Sequence, residues 1–145
     1  MTHEDAGHYA GKHPSGTELN PAIADAVRKA SSDGKVTCAA AFRIVREMAL
    51  SPRDVGVAID LLETRIAKCQ LGLYGYEPQS RILKPADHVS DELKHAIEDA
   101  LVDGRITCVG CWDIAKRLSC AKMHVAEACE AMHVKISQCQ LGSFK

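Results

Sequence analysis

One stretch of this chain is written twice. Residues 68–72 read Lys-Cys-Gln-Leu-Gly, and residues 138–142 read Gln-Cys-Gln-Leu-Gly. Sliding the chain by 70 positions also places Asp33-Gly34 on Asp103-Gly104 and Thr37-Cys38 on Thr107-Cys108. The same shift aligns Ile44 with Ile114, Val55 with Val125, Ala58 with Ala128 and Ile66 with Ile136, with no gap from Asp33 to Gly72. Self-similarity at a fixed offset marks a repeated structural unit. Two copies are too few for a solenoid, so the pattern predicts a tandem pair of one small fold. The expected organisation is a flexible N-terminal tail over 1–19, a first repeat over 20–74, a linker over 75–89 and a second repeat over 90–145.

Each repeat opens with helix signals. Asn20-Pro21 is an N-cap followed by proline at the first helical position. Ile23, Ala26, Val27 and Ala30 then mark one helical face, and Asp33-Gly34 ends it. Lys35-Val36 is a short extended piece, and Thr37 caps a second helix with Ala40, Ala41, Ile44, Val45 and Met48 inward. Ser51-Pro52 starts a third helix with Val55, Ala58, Ile59 and Leu62 on one side. Residues 65–69 alternate with period two and read as a strand. The second repeat follows the same order from Ser90 to Cys139. Aromatics make up only 4% of the chain, so the core falls to Ala, Val, Ile, Leu and Met, which favours packed helices. The fold class expected is mainly α, with short strands.

The order helix, strand, helix, tight turn, helix, strand resembles the winged-helix variety of the helix-turn-helix fold. Ile44–Met48, the turn at 49–51, Val55 and Leu62 carry the resemblance in the first repeat. Ile114–Leu118, the turn at 119–121, Val125 and Met132 carry it in the second. The resemblance implies a small DNA-binding transcriptional regulator whose third helices enter the major groove by their N-terminal ends. Ser51, Arg53 and Asp54 would then sit at base edges in one repeat, and Ala121, Lys122 and His124 in the other. Arg43 and Arg46 would belong to a rim touching the phosphate backbone, with Arg65, Lys68, Arg81 and Lys84.

Charge pulls the other way. Residues 51–63 hold Arg53 against Asp54, Asp60 and Glu63, a net of −2. Residues 120–132 hold Lys122 against Glu127 and Glu130, a net of −1. Helices that lie on a polyanion are usually basic, and the whole chain has a net charge of −1. A second reading is therefore a protein-docking module or adaptor, with homodimer formation among its forms.

A third reading rests on cysteine. Cys38, Cys69, Cys108 and Cys139 recur at matched positions, whereas Cys111, Cys120 and Cys129 do not. Cys108, Cys111 and Cys139, with His124 or His133, would be the candidate ligands of a zinc or iron–sulfur site. The bland alternative is that these cysteines fill the core. The repeated motif itself, with Gln70, Gly72, Gln140 and Gly142, reads as a structural clasp: glycine in a left-handed turn, leucine in the repeat's own core. His3, His8 and His13 in the tail read as solvated.

Several classes are set aside. There is no glycine-rich phosphate loop, nucleophile elbow or apolar carboxylate pair, so no enzyme and no cofactor are expected. No run reaches the eighteen or so apolar residues of a membrane span. The N-terminus lacks the basic and apolar regions of a signal peptide, and seven cysteines suit a disulfide framework poorly. A cytoplasmic protein is expected.

Overall fold

The structure, a computed structural model, describes residues 7–145. His3 lies outside the described residues. Ten regular elements run in order: α1 (Pro21–Ala30), β1 (Lys35–Thr37), α2 (Cys38–Glu47), α3 (Pro52–Leu61), β2 (Arg65–Ala67), α4 (Asp91–Asp99), β3 (Arg105–Thr107), α5 (Cys108–Arg117), α6 (Lys122–Ala131) and β4 (Lys135–Ser137). A 3-10 turn over Tyr9–Lys12 precedes them. The chain is mainly helical, as its composition predicts. No helix among the described residues is long and apolar enough to cross a membrane.

The caps read from the sequence act as caps. The Asn20 side chain accepts from the amides of Ala22 and Ile23, Thr37 from Ala40, Ser51 from Asp54, Ser90 from Leu93 and Thr107 from Gly110. Each satisfies amides that the first helical turn leaves without a partner. The two repeats also share their unusual backbone positions. Positive φ recurs at Asp33 and Asp103, Ala49 and Ser119, Glu63 and His133, and Lys68 and Gln138. Gly72 and Gly142, at φ 75° and 82°, take the left-handed turn expected of them.

The strands pair as the connectivity requires. Val36 lies opposite Ile66 in a parallel β1–β2 pair, and Ile106 lies opposite Ile136 in a parallel β3–β4 pair. Those four isoleucine and valine side chains are at most 9% exposed and floor each core. A wing would need an antiparallel strand returning after β2 or β4. Among the described residues neither pair gains a third strand.

The chain divides into two compact units, and these are not the two repeats. One unit comprises the described residues up to Cys69 together with Gln140–Lys145; the other is Gln70–Cys139. The Gln-Leu-Gly of each repeat therefore belongs to the unit built by the other. Leu71 and Leu141 are 0% and 3% exposed, so the leucine is a core residue, but not of its own repeat. In the first unit the Leu141 backbone lies against Gly56 of α3 so closely that a Cβ there would overlap its carbonyl oxygen. In the second, Gly72 sits beside Met123, Ile82 and Leu83. A repeat of this size buries too little by itself, and a borrowed apolar segment enlarges each core.

Two segments expected to be loose are packed. In the tail, Tyr9 is buried, and the backbone N–H of Ala10 donates to Glu63. Residues 81–86 lie along α6: Leu83 is buried, Arg81 pairs with Glu130 at 2.6 Å, and the Ala86 N–H donates to the Glu127 carbonyl at 3.0 Å. Neither stretch has helical periodicity, and apolar anchors spaced singly leave no pattern to read.

Candidate nucleic-acid interface

The third helix of each repeat offers solvent little beyond its first turn. On α3, Val55, Gly56, Ala58, Ile59 and Asp60 are all buried, while Ser51, Arg53 and Asp54 are exposed. On α6, Val125, Ala126, Ala128 and Cys129 are buried and His124 is exposed. The turns before these helices pass through left-handed Ala49 and Ser119, which reverse the chain in three residues. Arg43 and Arg46 are exposed on α2. Lys122 is half-buried, its ammonium 4.6 Å from the centre of the Trp112 ring, a cation–π contact.

The acidic residues that weighed against DNA are mostly engaged. Asp60 is only 2% exposed and lies 3.0 Å from Lys12 Nζ and 2.8 Å from His13 Nε2. Lys12 Nζ also donates to the Gly142 carbonyl at 3.0 Å, so one ammonium ties the borrowed segment to α3. Glu63 accepts from the Ala10 amide, and Glu130, at the repeat position of Asp60, holds Arg81. What the first turns expose is Arg53 with Asp54 on α3, and His124 next to Lys122 on α6. Sequence reasoning missed Lys12 and His13 as partners of Asp60. The signal was a carboxylate on the apolar side of a helix, which requires a cation nearby.

A separate groove of about 400 Å³ lies in the first unit, lined by Ile23, Leu50, Val57 and Ala58 with the carboxylates Glu18 and Asp54.

The cysteines fall into a different set from the one proposed. All seven are free thiols. Cys38, Cys69 and Cys108 are buried, and Cys139 is half-buried. Cys111 is hydrogen-bonded to Cys129 across α5 and α6, with Cys108 close enough to oppose its ionisation. The bond to Cys129 holds the Cys111 proton on, with burial adding to the effect, and pushes its pKa far up. The same bond, with Cys129 as acceptor, lowers the Cys129 pKa against the opposing effect of burial. Among the described residues no group of three His, Cys, Asp or Glu side chains could hold a metal ion. Cys129 went unnoticed because it has no cysteine counterpart in the first repeat. Its counterpart, Ile59, is a fully buried core residue of α3.

No family model, curated protein or solved structure matches this chain.

Proposed function

We propose that the chain is a non-enzymatic helix-turn-helix protein, winged-helix-like in each repeat but without the returning strand. It binds double-stranded DNA through the first turns of α3 and α6, as a transcriptional regulator would. The observation that carries this reading is the pairing of Asp60 with Lys12 and His13. It takes the Asp60 carboxylate off the surface that a phosphate backbone would meet, while Glu63 and Glu130 stay at the surface with partners of their own. Recognition helices present their N-terminal residues to base edges, the part of α3 and α6 left free here. Ser51, Arg53 and His124 can donate hydrogen bonds there, and Lys122 supplies a charge beside the backbone. Free thiols at all seven cysteines fit a reducing, cytoplasmic setting.

Mobility of a random-sequence duplex, measured at low and at physiological salt, tests this. Retardation is expected at low salt and should weaken as salt rises, because counterion release drives phosphate contacts. Replacing Arg53 and Lys122 with alanine should lower affinity by about tenfold or more, since such contacts contribute roughly 1–3 kcal/mol. Replacing the exposed Arg28 and Lys94 should change it little. No retardation at low salt contradicts the proposal.

The groove beside Val57 favours a second reading, a docking module for a protein. Its apolar floor and two carboxylates suit a segment that brings an apolar side chain and a cation. A chain that fails to shift duplex DNA but binds such a peptide, and loses it on Val57→Asp, would establish this reading instead.

A further inference from the structure

Cys111 and Cys129 face each other from α5 and α6, and both are 0% exposed. Their side chains are hydrogen-bonded. The first repeat has Ala41 and Ile59 at the matching positions, also 0% exposed. A single buried cysteine is ordinarily a small core filler. Here both members of one interhelical contact differ between the repeats, and both have become thiols. Volume alone does not call for that, because a small and a large aliphatic residue already fill the place in the first unit.

We propose that Cys111 and Cys129 form a redox-modification site, which a hydroperoxide converts into a disulfide joining α5 to α6. The Cys129 thiolate, which its hydrogen bond from Cys111 favours over the Cys111 thiolate, attacks one peroxide oxygen. The O–O bond breaks and the departing hydroxide takes up a proton to leave as water. The Cys111 sulfur then attacks the resulting sulfenic acid. The S–S bond forms, the S–O bond breaks, and the Cys111 proton leaves with the hydroxyl as a second water. Two thiols have lost two electrons and the peroxide has gained them. Access comes through local opening, since buried thiols react only when exposed. The α6 helix has Ala121 at its N-cap and no side-chain cap, unlike α3 with Ser51, and so opens at lower cost. The site stands whether the ligand of α6 is DNA or a protein.

The test uses the 145-residue chain with Cys120→Ser and Cys139→Ser, which removes the two half-buried, competing thiols. After hydrogen peroxide treatment, remaining thiols are alkylated and the protein is digested with trypsin. Residues 106–116 should be found cross-linked to residues 123–135, with fragmentation placing the bond between Cys111 and Cys129. The oxidised protein should melt about 5 °C or more above the reduced form, as expected for closing a loop of this kind. Cys111→Ala with Cys129→Ile restores the residue pair of the first repeat and should show neither cross-link nor peroxide-dependent melting shift. Cys111 and Cys129 recovered alkylated after oxidation, or a cross-link through Cys108 instead, overturns the proposal. The peptide map needs no core substitution, so it decides the matter even if the double variant folds poorly.

Discussion

The α2–α3 pair of the first unit and the α5–α6 pair of the second share a backbone down to their left-handed residues, yet they are finished differently. The first has Ala41 and Ile59 buried on α2 and α3, a Ser51 cap, a buried carboxylate at Asp60 and a glycine at 56 pressed by the Leu141 backbone. The second has Cys111 against Cys129, no side-chain cap, a partly exposed carboxylate at Glu130 and alanine at 126. The repeated positions specify topology. The positions that diverge decide how tightly each third helix is held, and the first unit is the more committed of the two.

That difference can be broken most severely at Asp60. Replacing both Lys12 and His13 with alanine leaves a buried carboxylate without a cation and should cost about 3 kcal/mol or more, read as a fall in the denaturation midpoint. Gly56→Ala should cost about 1–3 kcal/mol, because the Leu141 backbone has to move. The reverse change, Ala126→Gly, should cost only about 1 kcal/mol through helix propensity. Equal losses at 56 and 126 would mean that the two units hold their borrowed segments alike. Capping sharpens the comparison further. Ser51→Ala should lose about 1 kcal/mol, and Ala121→Ser should gain up to a similar amount, both measurable by urea denaturation. The smallest effect belongs to Glu130→Ala, under about 1 kcal/mol, because its pair with Arg81 is partly exposed to solvent.

How much of this was legible depends on what kind of signal each feature leaves. Caps, helix faces and left-handed glycines leave local signals, and Asn20, Thr37, Ser51 and Gly72 announced them. The strand at 65–67 followed from its period-two alternation, but its register against β1 did not. The destination of Leu71 and Leu141 did not, because an apolar residue after a strand looks the same whichever core receives it. Asp60 carried a readable hint, a charge on an apolar face, but its partners lie 47 and 48 positions away. They sit in a tail whose glycines and proline look like slack. The proposed interface remains a list read from the sequence, Ser51, Arg53, Lys122 and His124, to which the structure adds their exposure. What the sequence concealed was that one of the carboxylates counted against it, Asp60, is buried against Lys12 and His13.

The first turns of α3 and α6 are proposed as the surface that meets duplex DNA. Backbone amide spectra recorded while a duplex is titrated into labelled protein test it most directly. Shifts are expected to concentrate at residues 51–54 and 121–124, with weaker ones at Arg43 and Arg46, all fading as salt is raised. Shifts confined to Thr17, Ile23 and Val57, or none at any salt concentration, would contradict it.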